Sequence, residues 1–148
     1  MIRVQTEDFD IGAEVAALTK GRTDIGALVT FSGLVRNMNE GAPVNTFELE
    51  HYPGMTEKEL TRIEEQAHER WPLQASLIIH RIGKLEPGDN IVLVAAASAH
   101  REAAFEAAAF LMDYLKTRAP FWKREGDVWV EARESDETAE KKWQNTAS

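Results

Sequence analysis

Basic side chains are concentrated in one stretch of an otherwise acidic chain, between Tyr114 and Arg124. The stretch holds Lys116, Arg118, Lys123 and Arg124 and no acidic residue, whereas the whole chain of 148 residues has a formal charge of -8. A local cluster of cations focuses the electrostatic potential and so favours binding of an anion. The alternative is that these side chains are ordinary solvated surface cations.

Lys116 and Lys123 lie on either side of Pro120, where a helix must end. Lysines among other cations or against apolar walls are suited to proton transfer or nucleophilic attack, and Phe121 and Trp122 supply such walls. Lysines near the end of a helix are also common complements of its dipole. The spacing alone leaves both interpretations open.

A second candidate site is formed by His100 and Arg101, which follow an apolar strand and begin a helix. Free backbone amides, the positive end of the helix dipole and an arginine fork together make an anion site. The alternative is that Ser98 caps the helix while both side chains face water.

Two further arginines are candidates. Arg36 lies where a strand runs into a polar loop, a common place for a ligand clamp, although an exposed loop arginine is equally consistent. Arg133 lies among acidic residues, where a salt bridge is more frequent than a ligand contact.

The distance between the two candidate sites has a consequence for assembly. His100 and Lys116 are sixteen positions apart, about 24 Å along a helix. One small ligand cannot touch both ends in one subunit. If both clusters serve one site, that site is shared between two copies of the chain, which predicts a homodimer.

Composition excludes several classes of protein. The chain has no cysteine, and its four histidines lack a metal-ligand spacing, so we expect no metal and no disulfide. The acidic balance argues against nucleic-acid binding. The sequence contains neither an apolar run of membrane-spanning length nor a signal peptide, which predicts a cytoplasmic protein without membrane contact.

A hydrophobic fraction of 43% and a charged fraction of 28% predict one globular domain over 1–148, with a charged, partly flexible tail from about 134 to 148.

The pattern of elements predicts an α+β domain with helices packed on a mainly antiparallel sheet. Gly26 and Gly33, inside a predicted strand, suggest a bulge or a close approach. Residues 25–35 and 44–51 are expected to pair as a long hairpin around a loop at 36–43, and Thr56 and Glu59 to form a capping box. Helices are expected over 11–20, 56–70 and 99–119, and strands over 2–4, 25–35, 44–51, 75–82, 90–97 and 127–132.

Longer stretches of the sequence resemble one family. EHYPGMTEKEL (50–60), IHRIGKLEPGD (79–89), SAHREAAFEA (98–107) and MDYLKTRAPFWKRE (112–125) are similar to the large, catalytic subunit of molybdopterin synthase. VTFSGLVRN (29–37) and WVEARESD (129–136) fit the same family, so the resemblance covers nearly the whole chain.

The resemblance implies a fold of the α/β-hammerhead type and a step of molybdenum cofactor biosynthesis without a bound cofactor. Its substrate is cyclic pyranopterin monophosphate, and its sulfur comes from the C-terminal thiocarboxylate of a small ubiquitin-like subunit. Two large subunits form a central homodimer within a heterotetramer.

The resemblance also implies roles for the candidate residues. Lys116 lies beside the incoming glycine tail and Lys123 beside the pterin, both as catalytic candidates. The remaining substrate-binding candidates are Leu34, Val35, Arg36, His100, Arg101, Arg124, Glu125 and Arg133. Leu34 stands where some relatives have a lysine, so its contact is expected through the backbone.

Two other functions remain open at this point. The chain could be a non-catalytic scaffold for a ubiquitin-like partner, or a module that binds a small anion as a signal. The scaffold would dock the partner's tail without turnover, and the module would bind a phosphate compound without a protein partner.

Overall fold

The fold is described from a computed structural model of the chain, which places residues 1–36, 38–39, 42–43, 47–125, 128–130 and 143. For 38–39, 42–43, 47, 122–125 and 128–130 the description is limited to the backbone. Within these ranges the helices are α1 (Ile11–Thr19), α2 (Met55–Arg70) and α3 (Arg101–Arg118). The strands are β1 (Ile2–Gln5), β2 (Ala27–Leu34), β3 (Met38–Asn39), β4 (Ala42–Pro43), β5 (Phe47–His51), β6 (Leu73–Arg81), β7 (Gly83–Leu85), β8 (Asn90–Ser98), β9 (Phe121–Glu125) and β10 (Val128–Val130).

Strands β6 and β8 form the centre of a four-stranded sheet in the order β1-β6-β8-β2. Their apolar sequences explain this position, because strands buried on both faces read as continuous hydrophobic runs. β1 pairs with β6 in parallel, and the other two pairs are antiparallel. Alternate residues of β6 serve opposite faces: Ile78 packs with α2 and α3, whereas Leu77 and Ile79 pack with α1. The sheet therefore lies between α1 and the α2–α3 layer.

Helix α3 packs closely on this sheet because its inner face is rich in alanine. Ala107 and Ala108 cluster with Ala96 of β8, and further along the helix Leu115 joins the same buried cluster as Val92. The helix thus runs back along β8, from the Ser98 end of that strand to its Asn90 end. This direction sets the positions of both candidate sites.

Gly26, just before β2, and Gly33, inside it, each have a structural reason. A Cβ at Gly26 would lie 2.2 Å from the Ala99 carbonyl oxygen, and one at Gly33 would lie 2.8 Å from Val92 Cγ1. The β2–β8 register also shifts between Gly33 and Leu34. The prediction of close approach and a bulge is confirmed.

The helix caps agree with the sequence for α1 and differ for α2. Asp10 Oδ1 accepts from the Ala13 amide at 3.0 Å, as expected of an N-cap. In α2 the predicted Thr56–Glu59 capping box is wrong, since the N-cap is Gly54, two residues before Thr56. The Glu57 carboxylate accepts from the Gly54 amide at 3.0 Å, while the Thr56 hydroxyl donates to the Tyr52 carbonyl oxygen at 2.8 Å.

A second four-stranded sheet, in the order β10-β9-β5-β7, corrects the predicted hairpin. β2 pairs with β8 in the first sheet, whereas β5 pairs with β7 and β9 in the second. Two expected irregular regions contain strands: β3 pairs with β4 inside the predicted loop, and β7 precedes a turn confined to Glu86–Asp89. β9 follows directly after the Pro120 break. β2, β5, β7 and β9 pair with strands distant in the sequence, which a local sequence pattern does not reveal.

The fold class is confirmed: in the described part of the chain, three helices pack with mostly antiparallel sheets. The predicted last strand is present as β10. The predicted tail lies outside the described residues except for Trp143. Its indole Nε1 donates to the Asp113 carboxylate at 2.5 Å, and its carbonyl oxygen accepts from the Arg70 guanidinium at 2.9 Å.

Candidate functional site

The end of β2 holds Leu34, Val35 and Arg36 on a fixed backbone. The Val35 amide donates to the Asp89 carbonyl oxygen at 3.0 Å, and the Val35 carbonyl oxygen accepts from the Gly88 amide at 2.8 Å. The Val35 side chain is buried, whereas Leu34 is 52% exposed and Arg36 is exposed. Alternation along extended backbone explains this difference. Arg36 therefore faces solvent from an anchored backbone, as a ligand clamp requires.

Lys116 lies in the last turn of α3, on its exposed side. The two preceding residues, Tyr114 and Leu115, are buried and fix the rotation of the helix. The Arg118 guanidinium lies over the Tyr114 ring, 5.4 Å from its centroid. The C-terminal turn of α3 therefore presents two cations at the negative end of its dipole, which stabilises them there.

Phe121 connects the end of α3 to the end of β2. It is the first residue of β9, and its side chain packs against the buried cluster of Val35, Leu49 and Leu85. Lys123, two residues further along β9, pairs with Leu49 of the same cluster. The ends of β2 and α3 and the start of β9 therefore meet around these four apolar residues, which we call the corner cluster (Val35, Leu49, Leu85 and Phe121).

His80 lies beneath this junction, and the sequence had suggested no role for it. Its ring stacks on Phe121 with centroids 3.9 Å apart and planes 17° apart. Nδ1 lies 2.8 Å from the Arg81 carbonyl oxygen, which can only accept, so Nδ1 carries the proton. Burial is the main cause that lowers the pKa of His80 to about 4; the hydrogen bond to the Arg81 carbonyl opposes it, and the neighbouring Lys116 and His51 contribute to the lowering. The ring is thus neutral at pH 7.

His51, the cross-strand neighbour of Phe121, lies beside it with ring centroids 6.2 Å apart. Its Nδ1 is 3.0 Å from the Thr56 hydroxyl oxygen. That hydroxyl already gives its proton to the Tyr52 carbonyl, so it accepts from His51 Nδ1.

One signal in the sequence could have identified His80 as a buried residue. It lies two positions after Ile78 in an apolar strand, so both side chains are on the same buried face.

The buried His80 predicts a specific pH dependence of stability. Its folded pKa of about 4 lies below the ordinary value of 6.5, so the unfolded chain binds more protons between these values. The free energy of unfolding should therefore fall as the pH drops from 6.5 to 4, by roughly 3 kcal/mol from this group. Urea unfolding at several pH values should show a flatter dependence for His80→Phe than for wild type. Ile78→Val, on the same strand and face, should keep the wild-type slope, and equal slopes in all three proteins would contradict the assignment.

His100 and Arg101 lie at the opposite end of α3. His100 is the N-cap residue but makes no capping hydrogen bond through its side chain, and both residues are exposed. The alternative that Ser98 caps the helix is wrong, because its hydroxyl donates to the Pro72 carbonyl oxygen at 2.9 Å. The first-turn amides of α3 are thus without a side-chain cap, as an anion site at this end requires.

Two elements of similar length, α3 and β2, separate the end of the fold that holds His100 from the end that holds Lys116. α3 is one uninterrupted helix, so His100 and Lys116 are about 24 Å apart along it. β2 runs between the same two ends of the fold, from Ala27, which pairs with Ser98, to Leu34, which pairs with Asn90. Its seven steps correspond to about 23 Å. A single chain therefore keeps His100 and Arg101 away from the corner cluster.

Of the remaining predicted residues, Arg124 and Glu125 are described by their backbone only. Arg124 pairs with Glu48 and Trp129, and Glu125 pairs with Val128 and with Phe47. Arg133 lies outside the described residues. One chain thus brings Leu34, Val35, Arg36 and Lys116 to the same end as the backbone of Lys123, Arg124 and Glu125, and holds His100 and Arg101 at the other.

Among the residues with described positions, none group as three or more histidine, aspartate or glutamate side chains able to hold a metal ion. The helices in the same part of the chain are all too short or too polar to cross a membrane.

Fold and site together define an α+β protein with exposed cations at both ends of one long helix, a class suited to binding anionic ligands. Comparison with known proteins identifies the family to which the chain belongs. The family described as MoaE protein matches residues 4–118, and the chain belongs to this family.

Curated relatives span nearly the whole chain. The molybdopterin synthase catalytic subunit of Mesorhizobium japonicum is 59% identical over 152 aligned positions, covering 99% of this chain and 94% of the relative. The protein of the same name from Escherichia coli K12 is 58% identical over 146 positions, covering 96% and 97%. The solved structure of molybdopterin cofactor biosynthesis protein E from Burkholderia multivorans superimposes with a TM-score of 0.85 at 51% identity, covering 97% of this chain and 96% of that one.

Proposed function

We propose that the chain is the catalytic subunit of a molybdopterin synthase. It transfers sulfur from the C-terminal thiocarboxylate of a small ubiquitin-like subunit to cyclic pyranopterin monophosphate and forms the dithiolene of molybdopterin, in a cytoplasmic step of molybdenum cofactor biosynthesis. The activity follows from family membership and from relatives that carry this name over nearly their whole length. A protein named a catalytic subunit works with another subunit, which supports the proposed sulfur carrier.

The observation that carries the proposal is the meeting of Arg36, Lys116 and the Lys123 backbone around the corner cluster. Exposed cations on anchored backbone beside an apolar floor suit a ligand with a flat ring and a phosphate, because the floor packs on the ring while the cations pair with the phosphate oxygens. The absence of cysteine from the sequence is consistent with sulfur supplied by a partner.

In the proposed mechanism the thiocarboxylate tail approaches Lys116, and its sulfur forms a C–S bond with a carbon of the substrate's side chain while a C–O bond of the cyclic phosphate ester breaks and the phosphate oxygen keeps the electron pair. Water then hydrolyses the resulting thioester, which leaves the sulfur on the substrate and a carboxylate on the small subunit. Lys116 and Lys123 act in proton transfer or stabilise developing negative charge. The phosphate and the pterin are held by basic side chains and surrounded by three further residues. The basic residues are Arg36, His100, Arg101, Arg124 and Arg133, and the surrounding ones are Leu34, Val35 and Glu125. Fixed cations at the point where charge develops are usually the largest single contribution to catalysis. A second thiocarboxylate then delivers the second sulfur.

The experiment that tests this function mixes the purified chain with thiocarboxylated small subunit and cyclic pyranopterin monophosphate. Mass spectrometry should detect dithiolene product that depends on all three components. Absence of product with the small subunit still bound would replace the proposal with a non-catalytic scaffold. Absence of both product and binding would reject a role with this partner.

We also propose that the active unit contains a homodimer with sites shared across its interface. The two cationic ends are about 24 Å apart in one chain, too far for one small ligand. In a two-fold dimer, the Lys116 end of one copy can meet the His100 end of the other. The small subunits would then complete a heterotetramer.

Shared sites predict that two inactive variants restore activity when mixed. Arg101→Ala and Lys116→Ala should each be inactive, but their mixed dimer has one site with both residues intact. Random reassembly should therefore restore about one quarter of the wild-type sites. Product formation is measured after the two variants are unfolded together and refolded, with each variant refolded alone as the control. Failure of the mixture to exceed these controls, with mixed dimers detected by native mass spectrometry, would exclude shared sites.

A further inference from the structure

Phe121 is contacted by two histidine side chains that the proposed mechanism does not use. His80 stacks on one face at 3.9 Å, and His51, which pairs with Phe121 in the β5–β9 register, approaches from β5. Each ring is fixed by a hydrogen bond from Nδ1, His80 to the Arg81 carbonyl oxygen and His51 to the Thr56 hydroxyl. Thr56 itself is fully buried. The position of Phe121 is therefore determined by side chains from β6, β5 and α2.

Phe121 also lies between the two candidate catalytic lysines in the chain. Lys116 lies five residues before it, at the end of α3, and Lys123 two residues after it, on β9. Between the helix and the strand the chain has only Ala119 and Pro120, and the Phe121 amide donates to the Ala119 carbonyl oxygen at 2.9 Å. A displacement of the Phe121 ring would consequently move the backbone on both sides of the junction.

His80 is suited to this place because it is aromatic, neutral and anchored. An aliphatic side chain would fill the space without a planar face, and a stacked aromatic pair is favourable beyond the area that it buries. A permanent cation would be buried beside Lys116 and repel it. The main chain of Arg81 fixes the ring through its carbonyl oxygen, so the orientation of the plane does not depend on solvent.

We propose that His80 is a positioning residue for the sulfur-transfer reaction: its ring, stacked on Phe121, fixes the junction between α3 and β9 and with it the placement of Lys116 and Lys123. This inference rests on the proposed function. His80 does not touch the substrate, and it acts through Phe121. Because small errors in the position of a reacting group cost large factors in rate, the effect falls on turnover rather than on substrate binding.

The test compares three substitutions of buried residues on β6. His80→Leu removes the planar face and the Nδ1 donor, His80→Phe keeps the planar face, and Ile78→Val is the matched control for general core damage on the same strand and face. His80→Leu should lower kcat at least tenfold with KM changed less than threefold. His80→Phe should recover most of the lost kcat, and Ile78→Val should keep wild-type kcat.

A second measurement separates this inference from the proposed function. Lysines are methylated with ¹³C-formaldehyde, and the Lys116 resonance is assigned by its loss in Lys116→Arg. His80→Leu should shift that resonance, while His80→Phe and Ile78→Val leave it near the wild-type position. An unshifted resonance, or a kcat for His80→Leu equal to that of Ile78→Val, would overturn the role of His80. Lack of product from the wild-type protein would overturn the proposed function, and the resonance would still decide the positioning role.

Discussion

Replacing Lys116 with alanine is expected to abolish dithiolene formation while the small subunit stays bound. Lys116 is exposed at the end of α3, beside the junction at Phe121 and on the same side of the fold as Arg36. Removal of a group that transfers a proton in the transition state costs about 100- to 10,000-fold in rate. The fold should be unaffected, because the side chain is exposed and truncation opens no buried cavity. Product is followed by mass spectrometry, and partner binding by native mass spectrometry.

Two further variants sharpen this prediction. Lys20→Ala removes an exposed lysine just beyond the end of α1 and should leave turnover unchanged. Lys116→Arg keeps a positive charge that does not exchange its proton near neutral pH, so it should remain inactive if proton transfer is required and recover if charge alone is required. Wild-type turnover in Lys116→Ala would remove Lys116 from the catalytic assignment.

Replacing Gly26 with alanine is expected to impair the opposite end of α3. The new Cβ would lie 2.2 Å from the Ala99 carbonyl oxygen, so the backbone before His100 must shift. Overpacking against backbone costs about 1–3 kcal/mol in the free energy of unfolding. Because His100 and Arg101 follow directly, substrate binding should weaken as well, with KM raised about tenfold or more. Kinetics across substrate concentrations and urea unfolding measure the two effects.

Gly12→Ala is the matched control for this substitution. Its Cβ would have one close neighbour, Asp10 Oδ1 at 3.5 Å, an ordinary contact, and alanine is preferred over glycine inside a helix. The variant should be as stable as wild type or slightly more stable, with unchanged KM. If Gly26→Ala folds with wild-type KM, then the start of β2 does not support the His100 end.

Local signals in the sequence were sufficient to predict features that depend on a single helix or strand. Asp10 and the helix it caps were predicted because an N-cap needs only a side chain and an amide three residues away. The position of His100 and Arg101 at the start of α3 followed from the change of an apolar strand into a helical pattern. Gly26 and Gly33 were recognised because both lie in the predicted strand 25–35, and glycine inside a strand generally indicates a close neighbour.

Partners distant in the sequence produced the errors. β2 and β5 both read as half-apolar strands, and local pattern cannot tell whether two such strands pair with each other or with β8 and β9. The sequence FWKRE was not recognised as a strand because its pairing with β5 determines its conformation. His80 was missed for the same reason: its partner Phe121 is 41 positions away, and only the fold brings the two rings together.

The length of α3 has a mechanical consequence for the proposed dimer. An unbroken helix packed along β8 and β2 behaves as a lever of about 24 Å, with a cationic group at each end. A rotation of one subunit against the other by about 5° would displace the far end by about 2 Å, which exceeds the tolerance of a well-oriented reacting pair. The rigidity of the contact between subunits would then govern the rate as directly as any side chain in the site.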